Sequence, residues 1–125
     1  MANTKLEDLI EEVENSNNSD PSLDLKIMKY LKYADEKSVL DGNSYKIPNS
    51  RHSTNLISYT SSIDAALRLI PKDWKVFNIQ NLGYWDARVN ENTSKGIAIS
   101  FNGSHDIMAM SIVIAALKIK HYIGE

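Results

Sequence analysis

The chain contains no cysteine among its 125 residues, and this absence excludes several kinds of chemistry. Without thiols the protein has no disulfides, no thiolate zinc site and no cysteine nucleophile. A cysteine-free chain also fits a reducing compartment. Glycine is scarce too: its five residues are scattered along the chain, so no glycine-rich phosphate-binding loop is present.

No apolar run in the sequence is long enough to cross a bilayer. The longest lies at 107–117, where Ser111 is the one polar residue, whereas a membrane-spanning helix needs about 20 apolar residues. The segment 1–18 is acidic and lacks an apolar block, which predicts that no signal peptide is present. We therefore expect a cytoplasmic protein with no membrane partner.

The charge balance gives no general reason to expect a nucleic-acid partner. The formal net charge is −2, and charged residues make up 24% of the chain. A nucleic-acid-binding domain usually carries a concentrated basic surface. The hydrophobic fraction of 42% is ordinary for a soluble globular protein, and the length predicts one domain that spans 1–125.

The apolar segment 107–117 predicts a helix around which the rest of the chain is organised. A helix that is apolar nearly all round must be covered on more than one side. One face of a sheet is expected to cover it in part. The N-terminal helices or a second copy of the chain would cover the remainder, so a homodimer formed through this helix stays open.

Periodicity divides the domain into three parts. Two amphipathic helices are predicted within 1–34, and 35–58 has no sustained period and is interpreted as an irregular loop, in which a short edge strand at 44–47 stays open. The part 59–125 reads as an α-β-β-β-α core, with a helix at 62–70, strands at 74–80, 84–90 and 95–102, and the apolar helix.

The short connections between the three strands predict an antiparallel meander. The predicted fold class is therefore α+β, in which the meander and the helices form a layered α/β/α sandwich.

Alternation along the strands predicts which side chains face the core. Tyr84, Asp86 and Arg88 fall on the face opposite the core, with Ser100 across from them. If helices cover that face, a buried Asp–Arg pair needs partners there. If they do not, it is an ordinary exposed sheet face. The inward set is Trp85, Ala87, Val89, Ile97, Ile99 and Phe101.

The sequence offers no catalytic residues, metal ligands or cofactor site. The contiguous Ser104-His105-Asp106 cannot form a nucleophile–base–orienter relay, and His105 and Asp106 lack further ligands at coordinating spacing. The weaker candidates are binding residues. They are Tyr45, Arg51 and His52 in the loop, and Tyr84, Asp86 and Arg88 on the middle strand.

The order helix, three strands, helix is also that of the double-stranded RNA-binding domain. That family places lysines at the start of its last helix against phosphates. The corresponding positions here, Ser104–Met108, contain no lysine and one aspartate. The electrostatic requirement is not met, so RNA binding is rejected as the leading hypothesis.

Several segments resemble the phage ABA-sandwich domain family, whose members are small proteins of phages and prophages. The most specific similarity is the pattern that starts at Tyr59-Thr60 and ends at Trp74, and Asp24–Met28 resembles the upstream helix of the family. The resemblance covers roughly 6–120 and implies an α/β/α layered fold and a phage or prophage origin. It implies no activity and no catalytic residues. Its segments are Tyr59–Leu67, Ile70–Trp74, Gly83–Ala87 and Ala109–Lys118.

Two functional hypotheses follow. The first is a non-catalytic phage accessory protein that binds a protein partner, such as a component of host antiviral defence, in the cytoplasm of the host bacterium. The second is a small-ligand binder, for example one that sequesters a nucleotide signal in a pocket built from the 35–58 loop, with Tyr45, Arg51 or His52 pointing inward.

Overall fold

A computed structural model describes residues 4–92 and 99–124. Within them, four helices and six strands follow one another in an order that matches the predicted core. The elements are α1 (Thr4–Asn15), α2 (Pro21–Tyr30), β1 (Val39–Asp41), β2 (Ser44–Lys46), β3 (Thr54–Asn55), α3 (Ile63–Leu67), β4 (Trp74–Asn81), β5 (Trp85–Glu91), β6 (Ser100–His105) and α4 (Met108–Tyr122).

The predicted apolar helix, α4, is the centre of the molecule. Every residue of 109–117 is buried, and the helix continues to Tyr122. The strands β5 and β6 pack on one side of α4, and α1 and α3 pack on another. The prediction that this segment is covered on more than one side is confirmed. The covering comes from the same chain, which leaves no apolar face of α4 for a second copy.

The α+β class and the sandwich of helices on a sheet are confirmed. The order of layers differs from α/β/α, because the sheet lies on the outside and α4 forms the middle layer, with α1 and α3 beyond it. No helix among the described residues is long and apolar enough to cross a membrane.

The predicted meander is present as a sheet in the order β4-β5-β6, with both pairings antiparallel. Ala87 and Val89 of β5 are fully buried towards α4, as alternation predicts. We call the opposite side of this sheet the outer face. None of the described elements covers the outer face, which bears Asp86 and Arg88.

The third strand differs from its predicted position. It runs over Ser100–His105, whereas 95–102 was expected, and the expected part at 95–97, with Ile97, lies outside the described residues. Gly103 and Ser104 lie beyond the predicted end of the strand, yet both belong to it. Ile99 was expected to point inward, but it is 36% exposed because it lies just before the strand, at the end of the sheet.

Gly103 allows α4 to lie unusually close to β6. A Cβ atom built on this glycine would lie 2.6 Å from the backbone nitrogen of Ala115 and 2.8 Å from Cβ of Ile114, and closer still to the carbonyl oxygen of Ser111. Two of these atoms belong to the helix backbone, which cannot move aside without breaking α4. The position therefore requires a residue with no side chain.

The segment 35–58, interpreted as an irregular loop, instead holds the small antiparallel sheet β1-β2-β3. Ser44–Lys46, considered as an edge strand at 44–47, is its central strand, paired with Val39–Asp41 on one side and Thr54–Asn55 on the other. These strands have two or three residues and expose most of their side chains, so they carry no long alternating pattern that the sequence could reveal.

The two N-terminal helices are confirmed. Hydrogen bonds between the buried Thr60 and residues at the start of α2 attach the second helix to the core. Asp20 accepts from the backbone N–H of Ser22 at 2.9 Å, and Pro21 opens α2. The backbone N–H of Thr60 donates to Asp24 Oδ1 at 2.8 Å, and its carbonyl accepts from Ser19 Oγ at 2.7 Å. Burial raises the pKa of Asp24, and the hydrogen bonds from Thr60 partly oppose that rise.

The helix α3 is shorter than expected, at Ile63–Leu67 against the predicted 62–70. Its N-cap is Ser62, whose Oγ accepts from the backbone N–H of Ala65 at 3.2 Å. After Leu67 the backbone forms single turns, in which each N–H donates to the carbonyl three residues earlier, and the helix has therefore ended before Pro71. Ala65 and Ala66 are buried against α4, in keeping with their small size.

The first prediction concerns the close approach at Gly103. We expect Gly103→Ala to lower the free energy of unfolding by about 2–4 kcal/mol, because the added methyl group forces β6 and α4 apart. Urea unfolding followed by circular dichroism measures this. Ser100→Ala, an exposed change on the same strand, is the control and should cost less than about 0.5 kcal/mol. Equal stability of the two variants would contradict the close packing.

Candidate functional site

The outer face brings together polar side chains from β5 and β6. The register pairs Asp86 with Ser104 and Arg88 with Asn102. Nδ2 of Asn102 and Oγ of Ser104 both donate to Oδ1 of Asp86 at 3.0 Å. A carboxylate that accepts from two neutral donors on a hydrogen-bonded sheet has a fixed direction.

Asp86 is kept ionised by this arrangement. The hydrogen bond from Asn102 lowers the pKa of the Asp86 carboxyl, and desolvation opposes it; the bond from Ser104 and the charge of Arg88 lower it further. The residue is only 6% exposed. Arg88, in contrast, is exposed and adds an electrostatic contribution from the neighbouring position. The sequence left open whether helices cover this face or leave it exposed. None of the described elements covers it, although Asp86 itself is nearly buried.

Tyr84 extends the site towards the end of the sheet. It precedes β5, is 43% exposed, and lines a groove of about 370 Å³. The groove lies where the start of β5 meets the end of β6 and the chain after α1. Its lining is polar and consists of Glu14, Ser16, Asn17, Tyr84, Ser104, His105 and Asp106.

His105 forms the floor of this groove and has a structural role. Its Nδ1 accepts from the backbone N–H of Ile107 at 2.9 Å, so the proton lies on Nε2, which donates to the carbonyl of Ser16 at 2.6 Å. Ile107 is the N-cap residue of α4 and its own side chain cannot accept a hydrogen bond. The His105 ring instead accepts from the backbone N–H of Ile107 at the start of the helix. With both nitrogens bound to backbone, His105 is not free to act as a base or a metal ligand.

The loop candidates do not join this site. Tyr45 lies on β2 and packs against the main core, with its hydroxyl 3.4 Å from the carbonyl oxygen of Tyr33. Arg51 and His52 are exposed. None of the three lines the groove at Tyr84, so the structure brings together Tyr84, Asp86 and Arg88 but leaves the other three apart.

A second concave surface lies at the other end of α4. Trp74, Phe101 and Tyr122 form an aromatic cluster with ring centroids 5.3 to 6.3 Å apart. Beside it, a groove of about 350 Å³ is lined by Glu7, Ile10, Phe101, Lys118, His121 and Tyr122. Its members come from distant parts of the sequence, so no local pattern could predict it.

Sequence reasoning missed Asn102 and Ser104 as members of the site. The signal that was available is alternation: Phe101, Gly103 and His105 turn towards α4, so Asn102 and Ser104 must face outward. The strand was predicted to end at residue 102, which left Ser104 outside the pattern, whereas Asn102 lay inside it and was not named as a candidate.

Among the described residues, no group of three or more His, Asp or Glu side chains is placed to hold a metal ion. Comparisons with protein-family models, with curated proteins and with solved structures find no match to this chain. The interpretation of the outer face therefore depends on its own geometry.

The second prediction concerns the charge of Asp86. Its folded-state pKa is lowered, so ionised Asp86 stabilises the fold above its unfolded-state value of 3.8, and this contribution is lost as pH falls below that value. We expect Asp86→Ala to cost about 1–3 kcal/mol at pH 7, because Asn102 and Ser104 lose their acceptor.

The measurement is urea unfolding of wild type and Asp86→Ala at pH 7 and at pH 2.5, with Asp64→Ala, an exposed aspartate on α3, as the control. The difference between wild type and Asp86→Ala should shrink at the lower pH. A difference that stays constant, or that grows, would contradict the assignment.

Proposed function

We propose that this chain is a non-catalytic accessory protein of a phage or prophage, and that it works by binding a protein partner through the outer face of its β4-β5-β6 sheet. The observation that carries the proposal is the uncovered face itself. It presents the exposed Tyr84 and Arg88 on either side of the fixed carboxylate of Asp86.

The composition of this surface is typical of a protein–protein interface. Tyrosine and arginine are the residues that most often contribute strongly to binding, because each offers a large contact area and directional hydrogen bonds. Their positions on a hydrogen-bonded sheet limit the conformational entropy lost on binding. Asp86 lies near the start of β5, where its buried carboxylate adds a negative charge between Tyr84 and Arg88.

The acidic side of α1 is a weaker candidate because three of its five acidic residues contact basic side chains within the chain. Glu12 pairs with Lys26 at 2.6 Å, and Glu14 with Lys118 at 3.6 Å. Glu7 Oε1 lies 2.8 Å from Nε2 of His121. These contacts attach α1 to α2 and α4, so a partner that took the acidic groups would compete with the fold.

The choice of a host defence component as partner follows from the resemblance to phage proteins. A short accessory protein with no arranged catalytic group among its described residues acts by occupying a surface of its target. The nucleotide-binding alternative has no comparable support, because Arg51 and His52 are exposed and Tyr45 packs on the core.

The third prediction tests the outer face. We expect Arg88→Glu to weaken capture of the partner by about 10- to 100-fold, since it reverses the one exposed arginine of the site. Lys37→Glu makes the same charge change at an exposed position on another part of the molecule and is the matched control. The measurement is quantitative pull-down from host cells, followed by binding assays with the purified partner.

Three results would contradict the proposal. One is equal capture by Arg88→Glu and the wild type. Another is a thermal shift with nucleotides that depends on Tyr45 or Arg51, which would favour the small-ligand hypothesis. The last is turnover of a nucleotide or phosphoester that a single polar substitution abolishes, because the protein would then be an enzyme.

A further inference from the structure

The strand β4 has a free edge. It is an edge strand of the sheet, it pairs with β5 on one side, and no strand among the described residues pairs with its other side. It spans Trp74–Asn81, and Phe77 in its middle is 65% exposed. An edge strand with unpaired backbone groups is a template on which another strand can pair.

The hydrogen bonds at the two ends of β4 show which backbone groups point to the free edge. At one end, Asn92 N–H donates to the carbonyl of Asp73 at 2.6 Å; at the other, Leu82 N–H donates to the carbonyl of Tyr84 at 2.8 Å. Residues alternate between facing β5 and facing away in an antiparallel pair. Counting from the first end, the backbone N–H and C=O groups of Trp74 and Val76 point to the free edge. Counting from the second end, those of Asn81 and Ile79 point there.

Even-numbered residues therefore point to the free edge at the start of β4, and odd-numbered residues do so at its end. The change occurs at the β-bulge between Val76 and Asn78, which inserts one extra residue. The bulge makes the outward-facing residues symmetric about the middle of the strand. If a second copy of β4 lies antiparallel, Val76 of each copy falls opposite Ile79 of the other. Both residues of each such pair then direct N–H and C=O groups at each other.

Trp74 falls opposite Asn81 in the same register. The N–H of Trp74 already donates to the carbonyl of Pro71 at 3.2 Å, so this pair contributes only the bond from Asn81 N–H to Trp74 C=O. In a hydrogen-bonded antiparallel pair the two residues exchange two hydrogen bonds, so the two Val76–Ile79 pairs would contribute about four.

The side chains also match in this register. Val76 and Ile79 lie on the helix side of the sheet and would meet as an apolar pair. On the outer face, Phe77 would meet Asn78, and Lys75 would meet Gln80. Lysine is the only charged residue in β4, so no like charges fall opposite each other.

We infer that β4 pairs antiparallel with β4 of a second copy of this chain, so that the two three-stranded sheets form one six-stranded sheet across a two-fold axis. The occupant is a second copy because the edge complements itself in hydrogen bonding and in apolar contacts and places no like charges opposite each other. This dimer differs from the one considered from the sequence, since α4 is buried within its own chain. The inference is independent of the proposed partner on the outer face.

The fourth prediction is a concentration-dependent dimer that Val76→Pro disrupts. The N–H of Val76 points to the free edge, so proline removes it without breaking the β4–β5 pairing. We expect the dimer dissociation constant to rise at least about 100-fold, because two symmetry-related bonds are lost and the ring blocks the edge. Sedimentation equilibrium measures this, and Val76→Thr, which keeps the N–H, is the matched control.

Charges at Gln80 test the register. Because Lys75 of the other copy lies opposite, Gln80→Lys should weaken the dimer about 10-fold and Gln80→Glu should tighten it about 10-fold. Within one chain, Gln80 lies opposite Asp86, so the same substitutions shift the stability of the fold in the opposite direction. A change in folding therefore cannot produce the expected change in affinity.

The absence of cysteine allows a direct test of proximity. One variant carries Lys75→Cys and another carries Gln80→Cys. When the two are mixed and oxidised, they should form the mixed disulfide, because directly opposite residues of a non-hydrogen-bonded antiparallel pair lie within disulfide distance. Chains carrying Arg88→Cys, on the middle strand, should not cross-link with either.

A wild-type chain that stays monomeric at every concentration would overturn the inference. So would a dimer whose affinity is unchanged by Val76→Pro and by both Gln80 substitutions, since it would form through another surface. If Val76→Pro fails to fold, the Gln80 affinities and the disulfide yield decide the outcome.

Discussion

The contact between α4 and the sheet is the constraint on which the rest of the structure depends. The helix can approach β6 closely because residue 103 has no side chain, and it presents small residues to the sheet there. Val89 packs with Ala115 and Ile119 of α4 on the same side. Burial of apolar surface is the main favourable contribution to folding, and most of the fully buried side chains belong to this helix.

The burial of residues 109–117 in α4 limits where the protein can interact. The helix has the most apolar sequence in the chain, yet α1, α3 and the sheet leave it no apolar face to offer a partner. Two surfaces that the described elements leave open are the outer face of the sheet, with its fixed carboxylate at Asp86, and the free edge of β4. One is polar and directional, and the other is a backbone template, so the two suit different occupants.

The sequence was sufficient to predict the parts of the fold that have long, regular patterns. The apolar run at 107–117 predicted a central helix, and alternation along 84–90 predicted which residues of β5 face it. The start of α3 was placed within about a residue. The class and the meander follow from these elements together.

The parts that were missed have physical reasons. The strands at 39–55 are too short to show a period, and Gly103 looks like a turn because its tertiary role is invisible in the sequence. The layer order depends on how helices pack on one another, which periodicity along each helix does not specify. In the candidate site, Asp86 and Arg88 were identified from alternation. Ser104 was not, because the strand was ended three residues early, and Asn102 lay inside the predicted strand but was not named as a candidate.

Native-state amide hydrogen exchange tests the central claim most directly. If α4 is the covered centre of the molecule, the amides of 112–117 exchange only through global unfolding, with a free energy equal to that from urea unfolding. The amides of β1 and β3 should exchange through smaller openings. Exchange of the α4 amides at a free energy well below the global value would show that the helix opens while the sheet persists, and would contradict the account.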